Sequence, residues 1–152
     1  MKQAPCASKG RTDVQKRRLG RTGLEVSVLG YGAGAVGGLF TKGTAADQER
    51  AAARAIEAGI NYFDTAPVYG NGESERNLGR ALKSLKADVV VGTKFRLAAS
   101  HRADVAGFVT QSLEDSLKRM EAAFGARPTV TYYDNHVVVD NEAGAVRIEG
   151  KN

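Results

Sequence analysis

One cysteine, two histidines and no apolar run near the ~20 residues that span a bilayer set the first limits on this 152-residue chain. A lone Cys6 cannot form an internal disulfide, and its setting among small, polar and basic residues reads as an exposed thiol without a role. The N-terminus has Lys2 but no apolar core of a secretory signal, so the expected location is cytoplasmic, with no membrane partner. Excess charge is also missing from most of the chain. Residues 1–18 hold six basic residues against Asp13, which equals the whole net charge of +5, and the remainder holds 16 basic and 16 acidic groups. The basic balance therefore describes a tail, and no nucleic-acid partner is expected. With 42% hydrophobic and 26% charged residues, the composition is that of a folded domain long enough to bury a core.

Residues 1–15 lack periodicity and read as a disordered basic leader. From Lys16, KRRLGRTGLEVSVLGYG predicts a hairpin turning at Arg21-Thr22-Gly23 that feeds a buried strand, Val26 to Gly30. A glycine-rich loop leads to a helix with Thr44 as N-cap, Asp47 in its first turn and Gly59 at its end. Ile60 to Asp64 is the second strand, and Ser74 to Leu85 the second helix. Val89 to Lys94 is the third strand. The third helix runs from about Ala103 to Phe124, with Val105, Phe108, Val109, Leu113, Leu117 and Met120 on its apolar face. Alternation of this kind implies parallel βαβ units. Beyond Phe124 the segments Thr129–Tyr133, His136–Val139 and Ala145–Ile148, broken by turn compositions, predict an antiparallel meander.

Gly32-Ala33-Gly34-Ala35-Val36-Gly37 matches the dinucleotide fingerprint. That fingerprint needs a helix opening inside the glycine run, so that its N-terminus meets the pyrophosphate. The helical signal here begins only near Thr44, and the run reads as a permissive loop.

The chemistry lies elsewhere. Asp64 ends the second strand, Tyr69 follows five residues on, and Lys94 ends the third strand. A tyrosine has a reference pKa near ~10. A neighbouring ammonium favours the phenolate, and a carboxylate beside the ammonium keeps it charged and in place. Such a tyrosine can protonate a carbonyl oxygen as hydride reaches the carbon. In parallel α/β folds, functional groups gather at the carboxyl ends of strands, where Asp64 and Lys94 fall. Taken singly, each residue also fits a blander place as a turn, surface aromatic or strand terminus.

RRLGRTGLEVSVLGYG, FDTAPVYGNGESE (63–75), VVGTKF (90–95) and SLEDSLKRM (112–120) together resemble the aldo-keto reductases over residues 16–120. The resemblance implies an α/β fold of (β/α)8 TIM-barrel type and NADP(H)-dependent interconversion of small carbonyls and alcohols. It makes Asp64, Tyr69 and Lys94 three of four catalytic groups, with Tyr69 the proton donor. Gly32 and Ala33, with Asp64, would lie at the nicotinamide end of NADPH, and no metal is implied. The fourth group is a histidine after strand four. His136 either fills that place or is a hairpin-turn histidine, since Asp134-Asn135 before it is a turn pair. His101, in the loop after the third strand, reads as exposed and without a role.

A barrel of this kind takes ~250 residues, so the expected organisation is a partial barrel over 16–124 with three to four βα units. A divergent β-rich segment, 125–152, follows. The expectation is a truncated reductase with little activity alone. The alternative is a catalytically silent half-barrel that serves as an interaction module. Open sheet edges would be its route to self-association.

Overall fold

The computed structural model describes residues 14–121, together with strands 129–133 and 136–140. Strand β1 (Lys16–Arg18) pairs antiparallel with β2 (Glu25–Ser27). Their turn is closed by Thr22, whose hydroxyl donates to the Leu19 carbonyl at 2.6 Å and accepts from the Leu24 amide at 3.0 Å. A short strand β3 (Tyr31–Gly32), helix α1 (Leu39–Lys42) and helix α2 (Ala45–Glu57) follow. Then come β4 (Tyr62–Asp64), α3 (Glu73–Ser84), β5 (Val90–Lys94), a 3-10 turn (Ala99–Ala103) and α4 (Val105–Glu121). Strands β6 (Thr129–Tyr133) and β7 (His136–Asp140) complete the order.

The main sheet runs β3-β4-β5-β7-β6. Strands β3, β4 and β5 are parallel, with Gly32 opposite Asp64 and Asp64 opposite Gly92. Strand β7 then pairs antiparallel with both β5 and β6. The described residues thus form an arc of three parallel strands joined to a hairpin. Two segments of the expected meander are present as that hairpin. The third, Ala145–Ile148, lies outside the described residues, as does the leader up to Asp13. No described helix is long and apolar enough to cross a membrane.

The strand expected at Val26–Gly30 is divided. Val26 and Ser27 finish the hairpin, Val28 and Leu29 are more than half exposed, and the sheet begins only at Tyr31. Asn61 is the reason. Its Oδ1 accepts from the Ser27 amide at 2.7 Å, its Nδ2 donates to the Glu25 carbonyl at 2.9 Å, and its amide donates to Ser27 Oγ at 3.1 Å. Backbone groups of β2 that would have paired with the sheet are met by this side chain, so the hairpin fastens to the amino end of β4. The leader's last residues are fastened as well. The Gln15 carbonyl accepts from Val28, and Val14 packs on the core.

Helix α2 follows its sequence signals. Thr44 Oγ1 accepts from the Asp47 amide at 3.2 Å, and Gly59 takes φ 90 after the last turn. Helix α3 buries Leu78, Ala81 and Leu82, and α4 buries Val109, Leu113, Leu117 and Met120. Val105, expected on that apolar face, is 44% exposed at the first position of the helix. Phe63 and Phe40, both essentially inaccessible, join them, with Tyr31 meeting Phe40 edge-on at 5.7 Å. Each large side chain buried there contributes about 1.5–3 kcal/mol. Exposed i,i+3 pairs such as Arg76–Glu73 contribute roughly 0–1 kcal/mol, so the core carries the stability.

The glycine run is held by side chains the pattern does not reveal. Buried Gln48 donates to the carbonyls of Leu39 and Gly43 at 2.9 and 3.0 Å, and Asn77 donates to that of Phe40 at 2.9 Å. These bonds fix the four-residue α1 and seat Phe40. The first long helix begins at Ala45, eight residues past Gly37, so no long helix opens inside the glycine run.

On the inner face of the sheet, Tyr62 and Asp64 share one side of β4 while Phe63 faces the helices. A Cβ on Gly30 would meet Tyr62 Cδ1 at 3.0 Å, and one on Gly92 would meet Tyr62 Oη at 2.5 Å. The phenol ring therefore lies across glycines in its neighbours and leaves no room for side chains there. Burial first, and the Asp64 carboxylate second, raise the Tyr62 phenol above the usual 10.0.

Two outcomes follow from these features. A phenol that holds its proton more tightly when folded adds stability that is fully present below the unfolded value of about 10. That stability is lost as pH climbs through the higher folded value. Urea midpoints should therefore fall more steeply above pH ~10 in the parent than in Tyr62→Phe; equal slopes would contradict this. At the entry to α3, Gly70, Asn71 and Gly72 all take left-handed φ of 63, 56 and 85. A Cβ on Gly72 would also press on Arg119 Cδ at 2.7 Å. Gly72→Ala should cost about 1–3 kcal/mol by urea denaturation, and an unchanged midpoint would show the turn to be pliable.

Candidate active site at the carboxyl ends of the parallel strands

Because β4 and β5 are parallel with Asp64 opposite Gly92, Lys94 lies one pleat beyond, on the same face. Its stem reaches back across the strand boundary. Lys94 Nζ donates to Asp64 Oδ1 at 2.5 Å and to the Thr65 carbonyl at 2.9 Å. The side chains are 29% and 31% exposed, so the pair is partly solvated and adds roughly 1 kcal/mol or less to stability. Its main consequence is geometric: the ammonium is fixed in direction.

Tyr69 arrives from the loop after β4. Its amide donates to the Ala66 carbonyl at 3.1 Å, and its carbonyl accepts from the Ser74 amide at 3.2 Å. The left-handed turn of Gly70 to Gly72 then sends the chain directly into α3, holding the half-buried ring over the sheet. Lys94 Nζ stands 5.0 Å from the ring centroid, within range of a cation–π attraction. Gly34, in the glycine run, borders the other ring atoms, with Tyr69 Cε2 and Cζ at 3.8 Å from where its Cβ would lie. Asp64, Tyr69 and Lys94, singled out from sequence spacing, are thus brought together.

Gly32, at the exit of β3, is exposed, and an added Cβ would meet nothing within 4 Å. Ala33 differs, being 1% exposed. Its amide donates to the Asp64 carbonyl at 2.8 Å, and its carbonyl accepts from Ser74 Oγ at 2.6 Å. Ala33 offers no free polar group to a ligand, while Gly32 offers open backbone.

By backbone register, His136 pairs with Lys94 on one side and Tyr133 on the other. It opens the second strand of a hairpin rather than closing a parallel fourth strand, yet that register sets it beside the Lys94 position. His101 is half-buried rather than exposed. Its ring stacks on Phe108 at 3.6 Å between centroids, and its Nδ1 accepts from the Ala98 amide at 3.0 Å. It braces the 3-10 turn beside an open groove of about 320 Å³ lined by Leu97, Arg102 and Val105 among others.

Three buried residues behind the site are not singled out by pattern alone. Ser74, Glu75 and Thr93 are 0%, 0% and 2% exposed, and all three hydrogen-bond between elements. A polar pair opening an apolar helix, in GESERNLG, is the only sequence signal of them.

Comparison with known proteins agrees with this arrangement. The model of the Aldo/keto reductase family matches residues 28–124. L-galactose dehydrogenase of Arabidopsis thaliana is 37% identical over 113 residues, covering 72% of this chain and 35% of that protein. Pyridoxal 4-dehydrogenase of Microbacterium luteolum is 42% identical over 90 residues, covering 59% and 26%. Among solved structures, glycerol dehydrogenase from Gluconobacter oxydans superposes with TM-score 0.56 at 31% identity, over 70% of this chain and 36% of that one. An aldo-keto reductase from Bacillus halodurans, in its holo form, gives TM-score 0.54 at 28% identity, over 71% and 37%. The chain spans about a third of the length of these relatives. With the family model covering well over half its residues, the chain belongs to the aldo/keto reductase family.

Proposed function

We propose that this chain carries the proton-donating group of an NADPH-dependent carbonyl reductase site, with Tyr69 as general acid and Lys94 and Asp64 as its electrostatic support. One observation carries the reading: a single ammonium bonds Asp64 at 2.5 Å while standing 5.0 Å over the Tyr69 ring. Donation of the Tyr69 proton to a carbonyl oxygen leaves a phenolate, and a fixed ammonium beside the ring stabilises that charge. Asp64 holds the ammonium aimed, so little reorganisation is needed as charge develops. His136, set beside Lys94 by register, is the fourth polar group of this reading.

The residues at the exits of β3 and β4 fit the reactive end of a nicotinamide cofactor. Open backbone at Gly32 lets a flat ring approach closely, buried Ala33 supports that backbone from below, and half-exposed Asp64 borders the same space. When bound, NADPH supplies the hydride that reaches the carbonyl carbon as Tyr69 protonates the oxygen, yielding the alcohol. The substrate class is a small aldehyde or ketone. Gly32, at the exit of β3, is exposed with nothing near it, so the described residues leave a reacting carbonyl open to water on that side. Affinity for NADPH and turnover by this chain are therefore expected to be low.

Titration with NADPH, followed by cofactor fluorescence, should show weak but saturable binding; no response at any concentration would remove the cofactor from this reading. Any aldehyde reduction measured should fall by roughly 100-fold or more in Tyr69→Phe, the usual size of a general-acid contribution, with the circular dichroism spectrum unchanged. Unaltered turnover in that variant would overturn the assignment of Tyr69.

A further inference from the structure

We propose that Ser74 and Glu75, consecutive in the first turn of α3, are positioning residues that aim Lys94 by locking the exits of β3, β4 and β5 together. The inference rests on the reading of Asp64 and Lys94 as a working pair. Neither residue touches that pair directly. Each acts through a threonine next to it in sequence, Thr65 after Asp64 and Thr93 before Lys94.

Ser74 reaches two strands at once. Its hydroxyl donates to the Ala33 carbonyl at 2.6 Å, beyond β3, and lies 2.8 Å from Thr65 Oγ1, beyond β4. A hydroxyl has one proton, and a carbonyl can only accept, so Ser74 donates to Ala33 and Thr65 donates to Ser74. Thr65 is then engaged at every polar atom. Its amide donates to the Gly92 carbonyl at 2.8 Å, and its own carbonyl accepts from Lys94 Nζ at 2.9 Å. That carbonyl is the second acceptor that fixes the ammonium. Helix capping does not account for Ser74, because its hydroxyl bonds a carbonyl 41 residues away.

Glu75 grips the third strand. Its Oε1 accepts from Thr93 Oγ1 at 2.6 Å and its Oε2 from Arg119 Nε at 2.5 Å, while Arg119 Nη2 donates to Ser116 Oγ at 3.0 Å. Burying a carboxylate completely is costly even when paired, and an apolar contact would fasten α3 to β5 more cheaply. An apolar contact, however, would leave the twist at the end of β5 free. Thr93 and Lys94 point to opposite faces of the strand, so a directional hold on Thr93 from the helix side sets the direction in which Lys94 leaves on the other.

The test reads the freedom of Lys94 itself. Purified chain is acetylated with a limiting amount of a neutral N-hydroxysuccinimide ester, and peptide mass spectrometry gives the rate at Lys94 relative to exposed Lys42 and Lys86. Thr93→Val, which keeps shape but removes the donor, and Ser74→Ala should each raise the Lys94 rate several-fold with the reference lysines unchanged. Thr93→Ser should restore the parent rate. An unchanged Lys94 rate in both folded variants, beside acceleration in Asp64→Asn, would overturn the positioning role and leave the pair intact. Equal acceleration at all three lysines would also overturn it, since that marks general loosening. No acceleration in Asp64→Asn would instead show that the pair does not hold Lys94, and the underlying reading would fail first. Should Ser74→Ala not fold, Thr93→Val and Thr93→Ser decide the matter alone.

Discussion

Parallel pairing of β4 with β5 is the constraint on which the candidate site depends. It places two strand ends side by side with the same polarity, so a carboxylate on one and an ammonium on the next emerge at a common rim. The register sets Lys94 one pleat beyond Asp64, and the long lysine stem spans that offset. A slip by one residue would send Lys94 to the helix side and break the pair. Nothing in the pair itself is strong enough to enforce this alignment, since both groups are partly solvated. The alignment comes from the buried layer behind the sheet, where Phe63, Val91 and Leu82 pack and where Ser74 and Glu75 bridge strands.

Much of this was legible in the amino-acid order because it depends on local rules. Thr44 and Gly59 mark the limits of α2 through capping and left-handed backbone, and the spacing of Leu78, Ala81 and Leu82 marks the buried face of α3. Asp64, Tyr69 and Lys94 could be found because strand ends and their loops follow from the same alternation. What escaped was non-local. Asn61 takes over the backbone partners of β2 from across the fold, which splits the expected first strand. Gln48 and Asn77 seat the short α1 from positions that look like ordinary polar helix residues. Glu75 resembles a solvent-facing acid until the chain folds and buries it.

The inner face of the sheet shows a different use of glycine from that expected. Positive φ matters at Gly70 and Gly72, but Gly30 and Gly92 matter for what they lack. With no Cβ they leave room for the Tyr62 ring, which approaches Gly30 just before β3 and Gly92 within β5. The raised phenol pKa reflects the burial of that ring first and the charge of Asp64 second. Beside β4 the sheet thus presents the Tyr62 phenol ring and glycine backbone, with the partly solvated Asp64 and Lys94 at the strand ends.

The polarity of β7 has its own geometric result. A parallel neighbour for β5 would end beside Lys94 and deliver a connecting loop above the site. Strand β7 instead begins there, with His136 paired to Lys94, and runs toward the opposite rim, where Val139 pairs with Val91. On this flank the described chain meets the site with the first residue of a strand rather than the last. Among the described residues, the rim is thus bordered by the exits of parallel strands on one flank and by the start of an antiparallel one on the other, so the two flanks present opposite strand polarity to the site.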